Sequence, residues 1–582
     1  MEHFELIVIG SGPSGRRAAI QAAKFGCRVL VIERGRRVGG VSVHTGTIPS
    51  KTLRETALNL SGWRERGFYG RAYRVKRDLS AKDLRARLEM TLGHEVEVLE
   101  HQFARNQVQT LRGAARFTSP HEIEVTGEGG EVTTFSADRF LLAVGTVPHR
   151  PAHVPFDGQS IFDSDEILEL PALPRYMTVI GAGVIGVEYA TIFSALDVHV
   201  TLVEPRMSMF DFLDRELVED FTYQLRDRGM VLRFGAEVER VERLGPGNCE
   251  VHLKGGRRIR SGMVLFAAGR VGATAALNLP ACGLEADKRG RLAVDPDTFQ
   301  TSVPHIYAAG DVIGFPSLAS TSMEQGRIAV CHALGKPAHR PPESFPYGIY
   351  AVPEISTTGL TEEEVRDRGI AYECGVARFR ETSRGHIMGL ESGMLKMIFD
   401  LETRRLLGCH IVGEGATELI HIGQAVINLG GTLEYFVENT FNYPTLAEAY
   451  KIAEYIGREK IKGTLGPYLT SRVKYELRER STRSGGILDD NGILFAFQTD
   501  HPVLPIQTLP LAAAWAVKDG MDEAAAVDSI TINAAKVLGI DKRTGSIAAR
   551  KDADLFITDG DLLDTRHHVL ATFIDGFCVH AV

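Results

Sequence analysis

The sequence is poor in the features that would place it in several large classes. Its seven cysteines, Cys27, Cys249, Cys282, Cys331, Cys374, Cys409 and Cys578, form no CxxC pair and no metal-ligand spacing. They read as free thiols, for the most part buried, in a reducing cytoplasm, and no metal site is assigned. No apolar stretch of ~20 residues occurs, and MEHFELIVIGSG carries no basic segment ahead of an apolar run, so neither a membrane span nor a targeting leader is expected. Charge of one sign is nowhere blocked. The 66 Lys and Arg and 74 Asp and Glu give a net charge of −8 spread along the chain, and a nucleic-acid partner is not expected. At ~150 residues per domain the length implies about four domain-sized units rather than one.

What is present is one motif twice. Phe4 to Ile9 is an apolar β-type run; it leads into Gly10-Ser11-Gly12-Pro13-Ser14-Gly15, an Ala-rich helical stretch, a second strand from Arg28 to Ile32, and Glu33. Met177 to Ile180 leads into Gly181-Ala182-Gly183-Val184-Ile185-Gly186, a helix, a strand from His199 to Val203, and Glu204. In this pattern the glycines let backbone approach a pyrophosphate at a positive helix end, and the acid accepts hydrogen bonds from a ribose 2′-OH. A lone GxGxxG is weak evidence, but the repeated strand, helix, strand and acid context predicts two dinucleotide sites. Two shorter segments, LLAVGTVP at Leu141 to Pro148 and LFAAGRVG at Leu265 to Gly272, read as crossings between domains.

Several further motifs accompany the pair: GTIPSKTLRE at Gly46 to Glu55, GDVIGFPSLAS at Gly310 to Ser320, EQGRIA at Glu324 to Ala329, PEIS at Pro353 to Ser356, GEGATELIHIGQAV at Gly413 to Val426, and FNYPTLAEAY at Phe441 to Tyr450. With them, residues 1 to about 463 resemble the flavoprotein disulfide reductase family, and within it the soluble pyridine nucleotide transhydrogenases. The resemblance implies an α/β chain with two Rossmann-like domains and an α+β dimerisation domain. Its FAD-binding domain would be discontinuous, 1–150 and 271–345, with a NAD(P)-binding domain at 151–270 and a dimerisation domain at 346–463 through which two chains pair. FAD would contact Gly10, Gly12, Gly15, Glu33, Gly40, Thr47, Lys51, Gly145, Gly310 and Asp311. The nicotinamide nucleotide would contact Gly181, Gly183, Gly186, Glu204, Arg206 and Gly269.

The redox loop of that family carries Cys, four residues, then Cys before the Lys, so that one thiolate attacks sulfur and the other resolves it. In Val38 to Leu53, VGGVSVHTGTIPSKTL, those positions read as Ser42 and as Thr45 or Gly46, depending on register. The family's histidine, two residues before the Thr of an HPT motif, is replaced by Tyr443, and Glu448, which would orient it, also suits a capping role. Both losses are coherent with a flavin that exchanges electrons with nicotinamides alone. The function implied is FAD-dependent hydride transfer between NADPH and NAD+. The alternatives are an NAD(P)H diaphorase or quinone-type reductase, and a redox-silent flavin-binding scaffold. Lys51 and Glu188 are the groups the resemblance places near flavin N5, beside the reading as a solvated Lys and a dipole-favoured Glu. Glu204 favours NAD(H), whereas Arg206 beside it attracts a 2′-phosphate.

The last segment changes character. Residues 464–484 read as a linker, and 485–582 resemble the end of a metal-dependent amidohydrolase, through ILFAFQTDHPV at Ile493 to Val503, DSITINAAKVLGI at Asp528 to Ile540, GSIAARKDADLFITDGD at Gly545 to Asp561 and VLATFIDG at Val569 to Gly576. That family's metal-binding or proton-accepting Asp would be Asp500. No upstream HxH pair accompanies it, and His501, His567 and His568 read as surface residues, so hydrolase activity is not expected.

Overall fold

A computed structural model describes residues 1–70, 72–338, 344–458, 463–466, 482–490, 493–501 and 504–582. The chain divides into two compact units, Met1–Tyr455 and Ile456–Val582.

The first unit is organised around three sheets. In the first, strands Gln109–Arg112, Val29–Glu33, Glu2–Ile9 and Val132–Leu142 lie side by side in parallel, with Ile306–Ala308 parallel to the last of them and an antiparallel extension from Glu122–Thr126 and Ala114–Ser119. The run FELIVI belongs at its centre because a parallel sheet is covered on both faces, and Leu6, Ile7 and Val8 are all buried. Helix Pro13–Lys24 packs on this sheet through Ala18, Ala19 and Ala22, side chains small enough to bring helix and sheet close.

The second sheet repeats the plan, with parallel strands Val231–Phe234, His199–Glu204, Tyr176–Ile180, Met263–Phe266 and Ile161–Asp163, and helix Val184–Ala195 buried on most sides. The two crossing segments meet, since Thr146–Pro148 pairs antiparallel with Arg270–Gly272. The third sheet is antiparallel and carries Ile355–Gly359, Leu406–Val412, Met394–Asp400 and Tyr372–Arg378 beneath helices Ala416–Asn428 and Glu448–Arg458. Lys396 in this third sheet is fully buried. It is ion-paired to Asp214, at the start of helix Arg215–Asp227, and to Glu362 and Glu216, and so ties the second sheet's layer to the third.

The second unit has a small core of Phe495, Phe497, Ala512, Ala513, Ala516, Met521 and Ala526. Two strands, Gly463–Leu465 and Phe495–Phe497, pair in parallel, and Leu555–Thr558, Val569–Ile574 and Phe577–Ala581 form an antiparallel meander. Its first strand lies upstream of residue 485, and helix Ser484–Asp490 follows. The expected linker at 464–484 is thus partly structured, because a lone strand at Phe495 needs a hydrogen-bonding neighbour. Residues 467–481 of that expected linker lie outside the described residues.

Candidate functional site

Both glycine turns show the same division of labour. A Cβ on Gly15 would stand 1.9 Å from Gly10 O, and one on Gly186 would stand 1.9 Å from Gly181 O. These third glycines are demanded by the protein's own helix-to-strand packing. The middle glycines, Gly12 and Gly183, meet nothing within 4 Å. Open space at these two positions, each preceding the first turn of a helix, is what a pyrophosphate needs to reach backbone N–H groups.

The first turn borders a cavity of about 570 Å³ that also receives Glu33, Gly40, Thr47, Gly145, Gly310 and Asp311. The first turn and five later stretches of chain therefore meet where the resemblance expected FAD. Glu33 is already oriented, because its carboxylate accepts from the Ser11 amide at 3.1 Å and the Gly35 amide at 2.7 Å. Ser11, which motif reading passed over, also accepts the Gly39 amide at 2.8 Å and so fixes the loop against the turn. Burial pushes the Asp311 carboxyl above its ordinary value, and the charge of Arg270 offsets this only in part.

Thr47 begins helix Thr47–Ser61, and Lys51 follows one turn later on the same face. Lys51 Nζ donates to both carboxylate oxygens of Glu188, at 2.8 and 2.7 Å. Tyr350, far away in sequence, and Ser50, the neighbour of Lys51, complete the group. The Tyr350 amide donates to Glu188 at 2.9 Å and its ring lies under the Lys51 ammonium, 4.8 Å from the centroid. Ser50 Oγ donates to the other Glu188 oxygen at 3.4 Å. Tyr347, beside them, has its hydroxyl pushed up to about 12 by burial, with Glu188 and Asp311 adding to the effect. The nearest signal for both tyrosines was their position just ahead of PEIS.

At the second turn Glu204 is buried and accepts from the Ala182 amide at 2.7 Å and from Arg206 Nε at 2.8 Å. Burial pushes its carboxyl up, but the Arg206 guanidinium and the two backbone amides outweigh burial and hold it below the usual carboxylate range. The side-by-side cues Glu204 and Arg206 are therefore a single ion pair. Gly269, in the left-handed region with φ +105°, accepts the His149 amide at 3.1 Å and belongs to the crossing pair.

Within the one chain described, Tyr443 and Glu448 make their contacts away from the Lys51–Glu188 group, as a role across a dimer would require. Tyr443 is 70% exposed and its hydroxyl meets Ser383 Oγ at 2.7 Å. Glu448 accepts the Ser383 and Thr445 amides, each at 3.1 Å, which is the work of a capping residue. The redox-loop register also needs correction. With four residues between the two positions, the partner of Ser42 is Thr47, at the helix start, and not Thr45 or Gly46. The chain's cysteines all lie elsewhere, and the described cavity lining holds Ser42 and Thr47.

The profile of the pyridine nucleotide-disulphide oxidoreductase family matches residues 4–326, and that of its dimerisation domain residues 345–454. The chain belongs to this family. It is 50% identical over 454 residues to the soluble pyridine nucleotide transhydrogenase of Mycobacterium tuberculosis, covering 78% of this chain and 97% of that one. The protein of the same name from Colwellia psychrerythraea is 42% identical over 462 residues, 79% of this chain and 98% of its own. Among solved structures, LpdA from Mycobacterium tuberculosis and the Cu(II) complex of the HOCl-induced flavoprotein disulfide reductase RclA from Escherichia coli each give a TM-score of 0.71 at 25% identity, covering 78% of this chain and 100% of theirs. The amidohydrolase family profile matches residues 430–582.

In that last region Asp500 follows strand Phe495–Phe497 with φ +51°. Among the described residues, the one group with three metal-ligand atoms within 4.8 Å of one another is Glu242, Glu250 and His252, on a separate antiparallel sheet of strands Val238–Gly245, Asn248–Leu253 and Arg258–Ser261. Arg258 and Arg260 sit on the same Glu250 carboxylate at 3.4 and 3.5 Å, so the group is an ion-paired ladder. His567 and His568 contact Asp561 O and the Asp559 carboxylate of their own loop.

Proposed function

We propose that the chain passes hydride between NADPH and NAD+ by way of FAD held in the first cavity, with no dithiol taking part. The observation that carries this reading is the Lys51–Glu188–Tyr350 group one helical turn beyond Thr47, at a redox loop without cysteine. The relatives that match nearly end to end are named as transhydrogenases. Bound FAD would supply the two-electron acceptor and donor. The protein's share is placement: Gly12 and the amides after it face the FAD pyrophosphate, Glu33 the ribose, and Asp311 the ribityl chain. Gly183 and Glu204 receive the nicotinamide nucleotide. Lys51 and Glu188 set the charge beside the reacting ring, and holding two reactants in line is itself a large part of the rate.

Pairing of two chains through 346–463 and a cytoplasmic setting belong to the same proposal. No described helix is long and apolar enough to cross a membrane. The tail enters no step of it.

The test is stopped-flow absorbance of the FAD-loaded chain mixed with NADPH, then with a thio analogue of NAD+. Bleaching followed by reoxidation and formation of the reduced analogue is expected. A flavin that NADPH does not bleach ends the proposal, and bleaching without transfer to the analogue moves the chain to a diaphorase.

A further inference from the structure

We infer that Arg206 is a movable arm that decides whether the second glycine site takes a 2′-phosphorylated or a plain adenosine ribose, and that Asp211 is its latch. The inference rests on the two-nucleotide reading above and names residues that set the balance between the two substrates.

An ionised carboxylate offers about four acceptor positions. In Glu204 all are filled. One oxygen accepts the Arg206 amide at 3.1 Å and Arg206 Nε at 2.8 Å; the other accepts the Ala182 amide at 2.7 Å and Arg206 Nη2 at 3.3 Å. A ribose diol can bond this acid only after the guanidinium has turned away. A 2′-phosphate makes the opposite demand, because it needs that guanidinium for itself.

The backbone does not share in the movement. Ala236 and Gly235, just past strand Val231–Phe234, donate their amides to Glu204 O at 3.0 Å and Arg206 O at 2.9 Å. The side chain must swing alone, and at 46% exposure it has room to do so.

Asp211 holds Arg206 Nη1 at 3.1 Å and is itself 60% exposed. In the structure Asp211 and Glu204 share the guanidinium, so Asp211 is a second carboxylate that competes with a ribose phosphate for the arm and repels its charge. Glu204 keeps the Ala182 and Arg206 amides in either state, so the acid stays aimed while the arm moves. One site thus serves both nucleotides, with Asp211 setting the bias toward the unphosphorylated one.

The test uses ligands without a nicotinamide, so the readout is independent of flavin chemistry. The FAD-loaded full chain, and its D211N, R206Q and R206K variants, are titrated calorimetrically with 2′,5′-ADP and with 5′-AMP. Asp211→Asn should shift the ratio of the two dissociation constants toward 2′,5′-ADP by about two- to five-fold, the range for an exposed ion pair. Arg206→Gln should shift it the other way by about tenfold or more, and Arg206→Lys, which keeps charge but not the fork, by less. Retained flavin absorbance and 5′-AMP binding certify the fold of each variant. An unchanged ratio in D211N or R206Q overturns the inference, as does a wild-type chain that binds 5′-AMP but not 2′,5′-ADP. Unchanged ratios with intact hydride transfer refute the latch alone, and shifted ratios without transfer refute the function proposed above and leave the latch standing.

Discussion

Replacing Lys51 by Met removes the cation that faces Glu188 at 2.8 and 2.7 Å. The acid is only 4% exposed and keeps just the Tyr350 amide at 2.9 Å and the Ser50 hydroxyl at 3.4 Å. Breaking a buried pair from one side costs roughly 3–5 kcal/mol, and an exposed pair contributes about 0–1 kcal/mol. Because Lys51 is 26% exposed, the loss falls between these limits, near ~2 kcal/mol. Glu188→Gln leaves a cation that water can reach and should cost only about 1 kcal/mol. The double variant removes both charges, so its loss should fall short of the sum by about 1–2 kcal/mol. Urea unfolding of the three FAD-loaded variants measures this coupling. In parallel, stopped-flow reduction by NADPH should slow about tenfold or more in K51M, since tenfold corresponds to about 1.4 kcal/mol of the barrier. A coupling below about 0.5 kcal/mol with an unaltered reduction rate would show two independent groups and refute the reasoning.

Gly12→Ala should fold normally, because its Cβ meets no protein atom within 4 Å, yet purify with little flavin; Gly15→Ala, whose Cβ would stand 1.9 Å from Gly10 O, should lose the fold as well, and thermal melts with flavin absorbance separate the two. Lys396→Met leaves Asp214 fully buried without its cation and should destabilise the chain by roughly 3–5 kcal/mol in urea; a loss under about 1 kcal/mol would contradict the burial argument. Asp311 has its folded-state pKa raised by burial, so it favours folding when protonated and opposes it as pH rises through that raised value. Asp311→Asn should therefore raise the melting temperature of the flavin-free chain at neutral pH, with the gain shrinking as pH falls into the carboxylate range. A gain that is flat with pH counts against this sign.

Much of the fold was legible because its signals are local. FELIVI and YMTVI are runs that suit a strand covered on both faces, and each glycine turn announces the helix that follows it. The cavity residues Gly10, Gly12, Glu33, Gly40, Thr47, Gly145, Gly310 and Asp311 came from motifs and do line one space. Tyr350, Ser11 and Asp211 were not legible, since each acts through a partner whose position depends on tertiary folding. Tyr443 and Glu448 were singled out by a motif whose expected role lies across a dimer; within one chain they bond Ser383 and Thr445, and Glu448 caps as its position suggested. In the tail, composition suggested a linker up to residue 484, but strand Gly463–Leu465 pairs with Phe495–Phe497, a pairing that depends on the partner and not on the run itself.

By itself, the order of residues determined that two dinucleotide turns exist, each with its acid, and that no thiol stands in the redox loop, because these are matters of identity and short spacing. Only the tertiary structure decided which charges meet: Lys51 with Glu188 across 137 positions, and Lys396 with Asp214 across 182. It also showed that the competing cues Glu204 and Arg206 neutralise one another. The reason is that Coulomb energy and desolvation depend on distance and burial, and neither quantity is written in a local stretch of chain.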